Sequence, residues 1–422
     1  MKSISSTAFI LNLLIILLIF TSLRNLSPFY YLVIFVNISL LSYVAFSRPF
    51  PINFFPFIFY IFCAYSLFVI YWSGIYMQSL EFLVGVPRLL LMPVLTFLLM
   101  VFIEDRKQFI SIFKILLFCY LIAAFSIIYQ IFFGSISWFS PQFERGNLDR
   151  YASILGSLTV YGSVVGYPIL IVLSRMKIIK NNLYIFLIIL GTILATFFSL
   201  SKTGVVIFGL SLALITIFEG IPLLAKIKLK SFILFFISVI AFILIIGQIP
   251  IFIKYYNVIV SQTIGGSSFL SNSEGVLLDS PAVDLDHIIR RLTKWSSGML
   301  NEYGNVTYFV GVGLQGGAGV MGMHPVSGVY GSAHNSFGDL FFMGGFPYLI
   351  IFLSIFLCVQ ITLLLNFKDM MAKLLFMLNI LFFANLFVAS GSIFQPSISI
   401  FFWLSIIYAN FLNKKIDGNF GL

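Results

Sequence analysis

Charge is what this sequence has least of. Asp, Glu, Lys and Arg make up 9% of the residues, where a soluble domain carries about 25%, so a water-exposed globular fold is excluded. Cysteine is nearly as scarce. Cys63, Cys119 and Cys358 all fall inside apolar runs, with no CxxC and no paired spacing, which leaves no thiolate metal site or disulfide framework to read. Histidine occurs three times, and His324 and His334 stand ten residues apart with His287 distant and no cysteine nearby. That is poor spacing for zinc, and neither a metal nor a cofactor is expected. No repeat of fixed period is evident. Basic residues outnumber acidic ones, 24 to 14, but most lie in short segments between apolar runs. That pattern speaks of membrane orientation and not of nucleic acid.

What is present is apolar length. Hydrophobic residues reach 60% and the mean hydropathy is +1.09, while runs of about 20 residues, enough to cross a hydrocarbon core of about 30 Å, recur throughout. The pattern predicts an all-α polytopic membrane protein, a single membrane domain over residues 1–422. Twelve spans can be drawn, at roughly 8–23, 29–46, 53–72, 84–103, 109–133, 152–174, 183–199, 204–219, 231–248, 338–366, 373–390 and 396–412. The first resembles a signal peptide, but no small-residue cleavage site follows before Arg24, so it is read as a retained helix. With both termini cytoplasmic, inner loops hold Arg48, Arg106, Lys107, Arg175, Lys177, Lys180, Lys226, Lys228, Lys230, Lys368 and Lys373, and Lys414 and Lys415 close the tail. The short outer loops hold only Arg24, Arg145, Arg150 and Lys202, so the bias toward basic inner loops is satisfied without forcing any span. The long segment 248–337 then faces outward.

Five stretches can carry chemistry. Arg150 opens a Gly- and Ser-rich span; it either snorkels at the interface or offers a planar fork of donors to a phosphate. Arg88, after Pro87, lies inside the fourth span, where an ionisable residue is a functional candidate by default unless Glu81, seven residues earlier, merely neutralises it. Ser199 to Gly204, SLSKTG, shares letters with a P-loop but lacks its upstream glycine. Lys202 there would still sit beside a helix start, a good point contact for phosphate. The fourth stretch is the outer loop ahead of Gly331, where DLDHIIRRLTKWSSGMLNEYG reads as a helix with Arg291 and Trp295 on one face and Arg290 beside them. Gly311-x-Gly313-x-x-Gly316 spells a dinucleotide fingerprint without its strand, helix and acid, and is read as a tight loop lying against the site or the lipid headgroups.

The fifth stretch, Gly331 to Ile351, holds His334 at the mouth of a membrane helix. A lone loop histidine is more often a surface residue than a catalyst. Here Asn335 and Ser336 can cap a helix, Asp339 follows one turn later, and Gly344-Gly345-Phe346-Pro347 should break that helix after nine or so residues, leaving a half-helix above the bilayer. A helix N-terminus favours anions and a neutral imidazole, so His334 beside a bound pyrophosphate could take a hydroxyl proton.

From Arg150 to Leu353 the pattern resembles the O-antigen polymerase and O-antigen ligase superfamily of bacterial polysaccharide assembly. Its parts are the arginine opening a Gly-rich span, the Ser-x-Ser-basic-x-Gly turn, Arg291 four before Trp295 with Gly311 and Gly313 after, and Ala333-His334-Asn335 before a helix with a late Gly-Gly. The turn departs from the family in carrying Lys202 where arginine is usual. The resemblance implies a GT-C-like helical fold in the bacterial inner membrane. It also implies a metal-independent, inverting glycosyltransferase that uses undecaprenyl-pyrophosphate-linked oligosaccharides on the periplasmic side. Arg150, Lys202 and Arg291 would hold the departing pyrophosphate, with Arg290 able to stand in for Arg291 and Arg88 as a further binding candidate. His334 would orient or deprotonate the acceptor hydroxyl, with Asn335, Asp339 and Trp295 in support. The partners implied are the lipid-linked glycan, the bilayer and a chain-length regulator.

Polymerase and ligase differ in acceptor, a second lipid-linked repeat unit or the lipid A core, and the Phe- and Ile-heavy character with a modestly charged outer loop favours the polymerase. A polysaccharide flippase would show short loops on both sides and internal repeat symmetry, which this chain does not. No pair of outer carboxylates argues for a glycosidase.

Overall fold

The computed structural model of the protein describes residues 53–77, 85–103, 105–136, 143–145, 148–156, 158–174, 176, 178–199, 201–220, 305–314, 336–388 and 392–416, with scattered positions between 12 and 46. The regular secondary structure of the described residues is helical apart from one small hairpin. In order it forms α1 (Phe54–Met77), α2 (Val86–Phe102), α3 (Arg106–Phe133), strands β1 (Phe143–Arg145) and β2 (Leu148–Arg150), α4 (Leu158–Val164), α5 (Gly166–Leu173), α6 (Asn182–Phe198), α7 (Lys202–Ile215) closing in a π-helical turn Thr216–Gly220, α8 (Thr307–Val310), α9 (Ser336–Leu365), α10 (Met370–Val388) and α11 (Pro396–Ile416). Among the described residues six helices are long and apolar enough to cross a membrane, and Leu89–Phe102, Val160–Leu173 and Asn182–Phe198 are shorter apolar helices. Nine of the twelve predicted spans thus have described helical counterparts; the ninth, 231–248, lies outside the described residues, and the first two are described only at scattered positions.

Helix ends follow local chemistry. Asp105 and Gln108 form a reciprocal capping box at the start of α3: the Gln108 N–H donates to the Asp105 carboxylate at 2.8 Å and the Asp105 N–H to the Gln108 amide oxygen at 3.3 Å. Asn181 caps α6 through the N–H groups of Leu183 and Tyr184, and Asp369 caps α10 through those of Met371 and Ala372, at 2.7 and 3.2 Å. Pro396 opens α11, a position where its missing N–H costs nothing.

The chain divides into two compact units, Met1–Thr21 with Leu26–Leu116 and Leu285–Leu422, and Ser22–Asn25 with Leu117–Asp284, the division falling inside α3. The first unit is built around α11, of which 89% of the span Pro396–Asn413 is buried, against 33% for Phe54–Ile75. Its Trp403, 1% exposed, lies against Phe59 and Phe62 of α1, with ring centroids 6.3 and 5.8 Å away. Phe109 and Phe113 of α3 pack on Tyr408 and Phe401 of α11. At one end, Arg106 pairs with Asp369 at 3.2 Å and the Tyr408 hydroxyl donates to the same carboxylate at 3.0 Å. The turns before α3 and between α9 and α10, assigned to one side of the membrane by their Lys and Arg, therefore meet in one ion pair.

The second unit holds the far part of α3, the hairpin and α4 to α7. In the hairpin Phe143 pairs with Arg150, Glu144 with Asp149 and Arg145 with Leu148. The sixth predicted span, 152–174, starts later than its apolar run does. Tyr151 to Gly156 is non-helical because polar groups of α3 capture its backbone. Gln130 donates to the Ala152 carbonyl at 2.9 Å and the Ile154 N–H donates to the Ser126 hydroxyl at 3.1 Å, so helix begins only at Leu158.

Candidate functional site

The break expected in the fifth stretch is present. Gly345 adopts φ 70° and ψ −169° inside α9, a conformation open to glycine and closed to nearly every other residue. It separates a half-helix, 336–344, from the spanning part, 346–365. Nine residues make the half-helix about 13 Å long. It is not held clear of the bundle: Phe337 in its first turn packs on Phe383 and Phe387 of α10, and Phe356, beyond the break, also packs on Phe383. The half-helix therefore folds back along the last turns of α10, and apolar contact with that helix is the physical reason. Ser336, Gly338, Asp339, Leu340, Phe342 and Met343 are all buried, and Asp339 is fully enclosed in the first turn, where the helix dipole favours a carboxylate. Ser336 is the first residue of the helix. Its hydroxyl accepts the Ser392 N–H at 2.9 Å and ties the start of the half-helix to the turn between α10 and α11.

The other end is held by a strap, Gly311 to Leu314, which follows the short α8. The N–H groups of Val312 and Gly313 donate to the carbonyls of Phe342 and Met343 at 2.8 and 3.0 Å, satisfying acceptors that a helix C-terminus leaves open. Two glycines make this approach possible. Gly311 has φ 67°, and a Cβ there would stand 2.5 Å from the Met343 backbone. A Cβ added to Gly345 would stand equally close to the Tyr308 carbonyl oxygen. Strap and break are also fastened to α1: the Tyr65 hydroxyl lies 2.8 Å from the Gly344 carbonyl and 3.1 Å from that of Phe309. Trp72 Nε1 donates to the Gly311 carbonyl at 3.1 Å, and the Leu314 N–H donates to Ser73 Oγ at 2.6 Å. Gly311 and Gly313, of the Gly311-x-Gly313-x-x-Gly316 run read as a tight loop against the site, thus belong to the clamp on the half-helix, while Gly316 lies outside the described residues.

In the second unit Ser201 is the N-cap of α7, its hydroxyl accepting the Gly204 N–H at 3.1 Å, which puts Lys202 at the first helical position, the placement expected from the SLSKTG turn. Gly162 of α4 lies against this turn so closely that a Cβ would overlap the Ser201 hydroxyl. The Ser-x-Ser-basic-x-Gly turn and the Gly-rich span are therefore one packing unit. Arg150 is the last residue of β2. Arg88 is the third residue of α2, after Pro87, and so stands in its first turn. His334, Asn335, Arg290, Arg291, Trp295 and Glu81 lie outside the described residues.

Tyr65, Trp72 and Ser73 escaped the sequence reading. They recur seven and eight residues apart, on one face of α1, and side chains with polar tips on one face of an otherwise apolar helix were the available signal.

No protein-family model matches the chain, and no curated protein matches it significantly in sequence.

Proposed function

We propose that this chain is a bacterial inner-membrane glycosyltransferase of surface-polysaccharide assembly. It transfers an undecaprenyl-pyrophosphate-linked glycan onto a lipid-linked repeat unit at the periplasmic face, with inversion and without a metal. The observation that carries the reading is the half-helix that follows His334 directly: it is tied at both ends and encloses Asp339, the rigid mounting a reacting group needs. The capped turn bearing Lys202 adds a second support, a cation at a helix N-terminus. The acceptor hydroxyl oxygen bonds to the anomeric carbon as the bond from that carbon to the pyrophosphate oxygen breaks. The hydroxyl proton passes to His334, and the pyrophosphate leaves on its lipid. Arg150, Lys202 and Arg291, with Arg290 and Arg88 as further candidates, supply the positive charge the departing group requires, an electrostatic role made effective by preorganisation. Asn335 and Trp295 support the acceptor and loop sides. Both termini are cytoplasmic in this reading, with the Arg106–Asp369 end inside and the strap outside.

The test is reconstitution with a defined lipid-linked repeat unit in EDTA. Wild type extends chains, and His334→Ala and Arg291→Ala lose extension by at least about 100-fold while remaining inserted. Full-length polymer from both variants overturns the assignment, and transfer to lipid A core in preference to the repeat unit identifies a ligase.

A further inference from the structure

The direction of the half-helix is set from outside it. Gly345 carries no Cβ and its backbone is free to take many angles, so the angle of the break is fixed by contacts outside it: packing on α10 and the Ser392 tie at the start of the half-helix, and the bonds to its last carbonyls at the other end. Three of the half-helix's last carbonyls have partners: Phe342 and Met343 accept from the strap, and Gly344, next to the break, lies 2.8 Å from the Tyr65 hydroxyl. That hydroxyl has one proton for two carbonyls, those of Gly344 and Phe309, and so bridges the half-helix to the segment that leads into the strap. Its ring is held independently, stacked on Tyr348 at 5.4 Å and 19°. Trp72 and Ser73, two turns further along α1, hold Gly311 and Leu314 at the two ends of the strap, and Ser73 Oγ is fixed in turn by donating to the Val69 carbonyl at 2.5 Å.

We propose that Tyr65, Trp72 and Ser73 are positioning residues, a latch from α1 that sets the angle of the half-helix at Gly345 and thereby the placement of the acceptor-side groups at and just before its start. The inference rests on the glycosyltransferase reading above. None of the three touches the reacting atoms. Their effect passes through backbone carbonyls, so it belongs to the turnover step, where a small misplacement is felt most, and not to capture of the lipid-linked donor.

The experiment uses the full chain in nanodiscs, with a defined lipid-linked repeat unit as substrate and hydrogen exchange of the peptide 336–344 as a readout that needs no activity. Tyr65→Phe removes the proton and keeps the ring, Trp72→Phe and Ser73→Ala remove the other two bonds, and Tyr71→Phe on the exposed side of the same helix is the control. The expected result for Tyr65→Phe is a fall in kcat of roughly tenfold, a KM within about twofold of wild type, and faster exchange over 336–344, with the control unchanged. Trp72→Phe and Ser73→Ala follow the same split and carry the test if Tyr65→Phe fails to fold. A kcat within about twofold of wild type in all folded variants overturns the proposal, as does a rise in KM with kcat preserved. If wild type makes no polymer yet exchange over 336–344 quickens in the variants, the function reading fails while the mechanical latch survives; if exchange is unchanged, the latch itself is wrong.

Discussion

The two ends of the first unit are closed by different physics. At one end Asp369 gathers a guanidinium, a phenol and two helix N–H groups, all through side chains that reach one carboxylate. At the other, closure runs through the backbone of the strap and half-helix: N–H groups of the strap on carbonyls of the half-helix, made possible by glycines and fastened by neutral hydroxyl and indole groups. A carboxylate hub tolerates small shifts because long side chains adjust. A backbone clamp at contact distance does not, and it is found at the break between the half-helix 336–344 and the rest of α9.

The largest expected effect is therefore at the clamp. Gly345→Ala and Gly311→Ala each force an L-residue into positive φ, which costs about 1–3 kcal/mol, and each also drives a Cβ to 2.5 Å from backbone atoms that have no room to move. We expect the two effects together to exceed about 3 kcal/mol, read as loss of monodisperse protein in fluorescence-detected size exclusion. Gly134 separates the causes. It also has positive φ, 88°, but nothing lies within 4 Å of its added Cβ, so Gly134→Ala should show the strain alone. Equal losses at all three positions would mean that backbone strain and not contact governs the clamp.

That contrast also marks what a single sequence can tell. The break was legible because Gly-Gly-x-Pro is a local signal: two residues that permit odd dihedrals followed by one that cannot donate. Helix bounds were legible for the same reason, as in the predicted 183–199 against the observed Asn182–Phe198. The Gly311 to Leu314 strap was legible as a tight loop but not as a clamp, since its acceptors lie about thirty residues on and its fasteners in α1 some 240 residues earlier. Long-range pairings of side chain with backbone have no periodicity. The late start of the sixth span has the same origin, in Ser126 and Gln130 of a different helix. At the candidate site, a lysine at a helix start could be read from SLSKTG, because N-caps are written in the residue before the helix. That its neighbour Ser201 would be packed against Gly162 could not.

Next in size is the carboxylate hub. Asp369→Ala removes the α10 cap, the Tyr408 acceptor and the ion pair at once, and should cost about 2–3 kcal/mol in SDS-induced unfolding from mixed micelles. Asp369→Asn keeps an oxygen for the cap and for Tyr408 and should cost less than half of that. If asparagine is as damaging as alanine, the hub works through charge more than through capping, and the contrast between the two ends is one of ionised against neutral groups.

The smallest effect belongs to the charge pair itself. The Arg106 and Asp369 side chains are 42% and 26% exposed, so water and salt screen their attraction, and Arg106→Ala should cost less than about 1 kcal/mol. The difference between Arg106→Ala and wild type should vanish between low salt and about 1 M NaCl, where the screening length falls to about 3 Å. The deficit of Gly345→Ala should be indifferent to the same change, because a methyl pressed against a carbonyl is not screened by ions. A Gly345→Ala deficit that shrank with salt would show that the clamp depends on ionised groups, and the division of labour between the two ends would have to be abandoned.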